Sequence, residues 1–304
     1  MRILFIGGTR FVGLAMARAA LRGGHQVDVF HRGTNPPKDL TGATDLHGDR
    51  CGDLSALARR EWDAVVDTCA YKPHEIQTMA DALGSRFKKY VFVSSVGVYA
   101  NDVPPNVDET AARADASVLD GKDLSTLAMN SETFGPLKVL CENEVFLRHA
   151  NHLVIRPSFV IGPDDYTQRF PEWIRRIAAG GQVDAPEPRD APIQYIDARD
   201  LAAFVVGAIE RDLQGAFNVA APKPPFTFEK FLDEIIASVA PGGTRLHWLS
   251  VSEAIASGSS FPLWTGGSPD GRLALNSDAA MALGLSCRPL RDSARDVLEW
   301  TRSI

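Results

Sequence analysis

Ile3, Leu4, Phe5 and Ile6 form an unbroken apolar run that ends on Gly7 and Gly8. A run that is apolar at every position is the pattern of a strand covered on both faces. Gly7 and Gly13 bracket Gly8, Thr9, Arg10, Phe11 and Val12, after which Leu14, Ala17, Ala20 and Leu21 recur at helical spacing up to Gly23 and Gly24. A strand buried on both faces needs parallel neighbours, and parallel neighbours need crossover helices. The expected class is therefore α/β with a doubly wound parallel sheet. The turn also has a chemical reading. Its glycines let the backbone approach a pyrophosphate, and the open N–H groups and positive dipole end of the helix stabilise an anion. Gly7, Thr9, Arg10, Phe11, Val12 and Gly13 are the candidates for this contact. Arg10 stands where G-x-x-G-x-x-G has its middle glycine, but the strand, turn, helix and second strand around it are the context the motif requires.

Residues 26–30 make the second strand, and His31, Arg32 and Gly33 follow it. In such a fold this corner meets the adenosine ribose. An acidic residue there accepts hydrogen bonds from the 2′-OH, whereas a basic one accommodates a 2′-phosphate. His31 and Arg32, with Arg10 in reach from the glycine turn, favour NADP over NAD. Asp28 precedes the end of the strand and reads as structural. Residues 35–45 read as a loop, 46–50 as a short third strand and 54–60 as a helix. Asp53 is the better N-cap for that helix, and Asp49 either caps it or accepts from the adenine amino group. The fourth strand, 62–68, ends in Asp67-Thr68-Cys69-Ala70-Tyr71. A helix at 74–83 and a fifth strand at 90–93 follow, running into Ser94-Ser95-Val96-Gly97-Val98-Tyr99.

These segments, with Phe134-Gly135-Pro136-Leu137-Lys138 and the run Val-Ile-Arg-Pro-Ser-Phe-Val-Ile-Gly-Pro at 154–163, resemble an extended or atypical short-chain dehydrogenase/reductase of the NAD(P)-dependent epimerase/dehydratase superfamily. The resemblance covers nearly the whole chain in the right order. It implies a Rossmann-like nucleotide domain in which Thr68, Cys69 and Ala70 approach the cofactor and Pro157 and Ser158 line its nicotinamide end. It also implies a catalytic Ser, Tyr and Lys. By position Ser95 matches the serine that hydrogen-bonds the substrate oxygen, and Lys138 matches the lysine of Y-x-x-x-K, which holds the nicotinamide ribose. The tyrosine position holds Phe134. Residues four apart on a helix share a face, so a phenol at 134 would have its pKa lowered by Lys138 and could exchange a proton with a carbonyl or alcohol. Phenylalanine cannot. Three accounts stay open: an engineered Tyr→Phe variant, a proton supplied by Tyr71, Tyr99 or Tyr166, or a fold that has given up hydride chemistry for redox-neutral work or plain nucleotide binding.

Residues 101–131 are polar, acidic and aperiodic, a loop placed to cover the site between the serine turn and the Lys138 helix. Residues 132–149 read as that helix and 153–155 as the sixth strand; Arg156 behind it reads equally as a structural charge. The helix 201–209 and strand 216–219 return to the nucleotide domain, giving a division into 1–165 with 190–220, and a substrate lobe of 166–189 with 221–304. Trp173, Phe261 and Trp264 are candidate pocket aromatics in the lobe, and Arg169, Arg175 and Arg272 could hold a diphosphate.

Composition sets outer limits. A net charge of −6 without any Lys/Arg cluster argues against nucleic acid and membrane surfaces, and no apolar run approaches spanning length. Cys51, Cys69, Cys141 and Cys287 are widely spaced, with neither disulfide nor zinc patterning. No H-E-x-x-H or G-x-S-x-G motif is present. The expectation is a cytoplasmic monomer or homodimer without a metal. It would act on a small molecule as an NADP-dependent reductase or dehydrogenase, with a redox-neutral nucleotide-sugar epimerase or dehydratase, or a non-catalytic sensor, as alternatives.

Overall fold

The computed structural model describes residues 1–35, 39–267 and 270–303. The expected loop at 35–45 and the Pro/Gly-rich stretch at 261–270 lie partly outside the described residues. The apolar run becomes β1 (Arg2–Ile6) and the repeat behind the turn α1 (Phe11–Arg22). β2 (Gln26–His31), β3 (Thr44–His47), β4 (Trp62–Asp67), α2 (Pro73–Leu83), β5 (Phe87–Val93), α3 (Phe134–Arg148), β6 (His152–Pro157) and β7 (Phe159–Ile161) follow. The chain continues through α4 (Arg169–Ala179), β8 (Gln182–Pro186), β9 (Tyr195–Asp197), α5 (Ala198–Glu210), β10 (Gly215–Val219) and α6 (Phe228–Val239). It closes with β11 (Arg245–Leu249), α7 (Val251–Ala256), α8 (Asp278–Ala282) and α9 (Leu290–Arg302).

Seven strands form one parallel sheet in the order β10-β6-β5-β4-β1-β2-β3. The order reverses between β1 and β4, and a ligand crevice opens at the C-terminal ends of strands at such a switch point. Side-chain alternation explains why β1 lies inside the sheet. Ile3 and Phe5 share a core with Leu14 and Ala17 of α1 and Leu201 and Val205 of α5. Leu4 and Ile6 share another with Ile76 and Met79 of α2 and Cys141 and Val145 of α3. Each such side chain contributes about 1.5–3 kcal/mol when removed from water, so a strand apolar on both faces is driven between two helical layers.

The third strand spans 44–47 rather than 46–50, and the expected helix at 54–60 shrinks to a 3-10 turn at Ser55–Leu57. Asp53 does accept from the Ser55 N–H at 2.9 Å. Arg59, however, has φ of +60°, a left-handed conformation that an α-helix of L-residues does not continue through. Arg50 turns inward, with Nη1 and Nη2 at 3.0 and 2.7 Å from the Asp67 carboxylate, which also accepts from Tyr90 Oη at 2.8 Å. Burial alone would raise the Asp67 carboxyl; Arg50 and Tyr90 outweigh it and hold it below the usual carboxylate range. The ionised Asp67 Oδ1 in turn takes the N–H groups of Cys69 and Ala70, which sets the turn after β4.

A third core joins α4, α6 and α9 through Phe170, Trp173, Phe231, Ile235 and Val297. Trp173 is fully buried, donates its Nε1–H to Pro262 O at 2.6 Å and stacks with Phe261. Trp264 donates to Glu187 O at 3.1 Å. No helix among the described residues is long and apolar enough to cross a membrane.

Candidate active site

The glycine turn is closed by contact. A Cβ on Gly7, whose φ is +84°, would lie 2.7 Å from Cys69 Sγ, and one on Gly13 would lie 2.7 Å from Gly7 O. No side chain fits at either position. Arg10 is tolerated because it has extended backbone, with φ of −138°, as N-cap of α1, and its side chain makes no capping hydrogen bond. Among the described residues, the first-turn N–H groups of α1 thus lack both an intrahelical acceptor and a side-chain cap. Behind the turn, Thr68 Oγ1 donates to Ile6 O at 3.0 Å and Cys69 Sγ lies 3.6 Å from the same carbonyl.

Ser95 follows β5, and its Oγ accepts from the Gly97 N–H at 3.0 Å, so its own proton is free to be donated. Gly97 is where α3 docks. A Cβ on Gly135 would come 2.4 Å from Gly97 O, and a Cβ on Gly97 would lie 3.0 Å from the Phe134 ring and 3.4 Å from Ser95 Oγ. The glycine pair therefore brings position 134 beside the serine. One turn along α3, Lys138 is buried, and its Nζ donates to Ala70 O at 2.9 Å and Val93 O at 3.0 Å. An ammonium has three N–H bonds, so one remains for a ligand. Burial pulls the Lys138 ammonium below the usual lysine pKa.

These groups face a cavity of about 1090 Å³. Phe11, Val12, Thr68, Ser95, Phe134, Lys138, Pro157 and Ser158 line it, together with Tyr71 and Tyr166. The buried Ser94 and Ser158 hydroxyls on its wall have no hydrogen-bond partner among the described residues. An unpaired buried hydroxyl costs about 1–3 kcal/mol, which a polar ligand offsets. With the uncapped α1 and the glycines that admit no Cβ, the residues fit the phosphates and ribose of a dinucleotide. Ala114, Asp115 and residues 129–131 of the acidic segment also line the cavity. That segment is tied down by Ala100 N–H to Ala112 O and Ala114 N–H to Val98 O, pairings its aperiodic sequence does not reveal. Trp173, Phe261 and Trp264 are not on the wall; they pack with the core that joins α4, α6 and α9. Arg169 and Arg272 are on it, but Arg272 is paired with Asp270 at 2.7 Å, and Arg175 is tied to Glu172 away from it.

The adenosine corner differs from expectation. His31 is buried, accepts from the Gly33 N–H at Nδ1 and donates from Nε2 to Asp45. Arg10 does not reach this corner; its guanidinium lies 3.4 Å over the Tyr166 ring. Arg32 is exposed, and among the described residues no carboxylate pairs with it. Asp49 sits in the turn after β3, with Oδ1 accepting from the Cys51 N–H at 2.9 Å. The fold also gathers ligand-type atoms that linear spacing separates: His31, Asp45 and His47 in one group, and Cys51, His74 and Glu75 in another, each within 4.8 Å. In the first, an Nδ1 that accepts from a backbone N–H leaves the proton on Nε2, which is the wrong tautomer for a metal bond there.

Sheet order, glycine turn and the Ser95–Lys138 cavity define a nucleotide-binding protein of the doubly wound class. A model of the NAD dependent epimerase/dehydratase family matches residues 3–220, and the chain belongs to that family. It is 29% identical over 241 residues to the chloroplast stem-loop binding protein of 41 kDa b of Arabidopsis thaliana, covering 73% of this chain and 59% of that protein. The chain thus spans about three-fifths of that relative's length. The UDP-N-acetylglucosamine 4-epimerase of Bacillus cereus has a similar structure, with a TM-score of 0.72 at 17% identity over 99% of both chains. The UDP-glucuronic acid 4-epimerase of the same organism, solved with NAD, gives 0.70 at 14% identity over 100% of this chain and 99% of that one. At these identities the likeness is one of fold.

Proposed function

We propose that the protein is an NAD(P)-dependent reductase or dehydrogenase of a small carbonyl or alcohol. The observation that carries this reading is the junction at Gly97, where Ser95 with a free O–H and position 134 meet in the cavity that also holds the Lys138 ammonium. When bound, the nicotinamide supplies the hydride. Ser95 polarises the substrate oxygen, Lys138 orients the ribose through its remaining N–H, and the turn of Gly7, Thr9, Arg10, Phe11, Val12 and Gly13 takes the pyrophosphate. Thr68, Cys69, Ala70, Pro157 and Ser158 complete the cofactor wall, and Asp49 receives the adenine. Residues 1–165 with 190–220 form the cofactor unit, and 166–189 with 221–304 the substrate lobe.

A redox-neutral nucleotide-sugar enzyme is the second reading, favoured by the likeness to sugar-nucleotide epimerases. Of the three arginines that could hold a diphosphate, Arg169 alone both lines the cavity and lacks a carboxylate partner among the described residues, which supports the smaller substrate. The name of the chloroplast relative speaks of stem-loop binding, but a net charge of −6 opposes the phosphate contacts such binding rests on. The deciding measurement is NADPH consumption with a panel of aldehydes, ketones and nucleotide sugars. Consumption with a carbonyl compound is expected. Conversion of a nucleotide sugar with no net change in NADPH replaces the first reading by the second.

NADP is the proposed cofactor, and the support now rests on Arg32, since His31 and Arg10 are engaged elsewhere. A guanidinium at a 2′-phosphate forms charge-assisted bonds of about 1.5–3 kcal/mol. Arg32→Ala should therefore lower the preference for NADPH over NADH by roughly tenfold to a hundredfold. Equal affinity for the two in the unmodified protein rejects NADP.

A further inference from the structure

Phe134 leaves the site without the phenol its family position implies, and three other tyrosines came into question on sequence grounds. Their surroundings separate them. Tyr99 is fully buried, donates to Asn218 Oδ1 at 2.6 Å and accepts from Arg156 Nη1 at 2.9 Å, so its hydroxyl is spent on structure; it is also not on the cavity wall. Tyr166 is on the wall but 51% exposed, and its ring is held under the Arg10 guanidinium at the pyrophosphate turn. Tyr71 is on the wall too, and its ring covers Lys138, with Nζ 4.6 Å from the ring centroid. Its backbone N–H is fixed by Glu75 Oε2 at 2.6 Å, whereas its hydroxyl has no hydrogen-bond partner among the described residues.

We infer that Tyr71 is the proton donor of this site, its hydroxyl protonating the substrate's carbonyl oxygen in place of the phenol that Phe134 lacks. The inference rests on the reductase reading above. With a hydride delivered to the carbonyl carbon by the reduced nicotinamide that this site would hold, the C=O π pair would move onto oxygen, which Ser95 would steady. The Tyr71 O–H bond breaks, its proton goes to that oxygen, and the resulting phenolate recovers a proton from water in the cavity. In the opposite direction the phenolate takes the alcohol proton.

The environment suits this role. Burial, with the Tyr166 phenol adding to it, pushes the Tyr71 hydroxyl up to about 12, so it stands protonated at neutral pH and serves as an acid. Once the proton has left, the negative ring faces the Lys138 ammonium, and an attraction to a neutral ring becomes one to a full charge. Lys138 sits between two candidate phenol positions, Tyr71 across the turn after β4 and residue 134 one helical turn away, so a phenol at either can use the same cation.

The test uses Tyr71→Phe, which keeps the ring over Lys138 and removes only the hydroxyl, and the double variant Tyr71→Phe/Phe134→Tyr. With the best carbonyl substrate of the panel, Tyr71→Phe should lose roughly a hundredfold to ten-thousandfold in kcat at unchanged NADPH affinity. The double variant should regain at least about a tenth of the lost rate, because it returns a phenol to Lys138 and Ser95. Independently of turnover, the positive nicotinamide of NADP⁺ should bring out a tyrosinate ultraviolet band at lower pH than in the free protein, and this band should vanish in Tyr71→Phe. Unchanged kcat in Tyr71→Phe, or a tyrosinate band identical in both proteins, overturns the assignment. If no carbonyl is reduced by the unmodified protein, the reductase reading falls, and the band alone decides whether Tyr71 is the ionising phenol.

Discussion

Ser95→Ala is expected to lower kcat about a hundredfold to a thousandfold while cofactor affinity stays unchanged. The magnitude follows from what the hydroxyl is doing. Its oxygen accepts from the Gly97 N–H at 3.0 Å, which leaves the O–H proton free to be donated. A donor held in place before charge develops on the substrate oxygen spends nothing on reorientation when that charge appears. Cofactor affinity should be spared because Ser95 borders position 134 rather than the glycine turn. Steady-state kinetics with a carbonyl substrate, alongside NADPH titration, separates the effects. A change confined to KM would mean that Ser95 only helps hold the substrate and makes no stronger bond in the transition state.

Glu142→Gln should cost about 3–5 kcal/mol of stability, read as a lowered denaturant midpoint. Glu142 is fully buried on the face of α3 turned to β6, where Arg156 is 3% exposed. Arg156 donates from Nε and Nη2 to the two carboxylate oxygens at 2.9 and 2.7 Å, and from Nη1 to Tyr99 Oη and Glu109 O. Burial by itself would lower the Arg156 pKa, but Glu142 outweighs it and raises it, so the guanidinium cannot escape by losing its proton. Neutralising Glu142 therefore strands a buried charge. Glu142→Leu/Arg156→Met, which removes both charges, should recover most of the loss. If the single variant costs under about 1 kcal/mol, water reaches Arg156 and the pair is not sealed in the core.

The same pair marks where reading along the chain stops. Arg156 followed the sixth strand and Glu142 lay in the expected helix, but nothing in their separation says that one satisfies the other. That both are buried is a property of how α3 lies on β6.

Local rules carried the nucleotide half far. An apolar run ended by glycine, a helical repeat behind it and short apolar strands with small-residue ends are signals contained in windows of a few residues, and they determined β1, α1, the parallel sheet and the family. The positions of Ser95, Phe134 and Lys138, at a strand end and on one helix face, were legible for the same reason. The failures have a common cause. Residues 54–60 carry a helical pattern, but inward capture of Arg50 by Asp67 and a left-handed Arg59 left a single 3-10 turn. His31 and Arg10 looked like phosphate ligands because of their place in the chain, yet Asp45 and Tyr166 had claims on them that only assembled strands and loops reveal. By itself, then, the sequence determined periodicity and chain order, hence the sheet, the glycine turn and the vacancy of a phenol at 134. Tertiary structure decided which charged and aromatic groups have partners. A partner is set by distance in space, and residues far apart in the chain become neighbours only when the two helical layers close on the sheet.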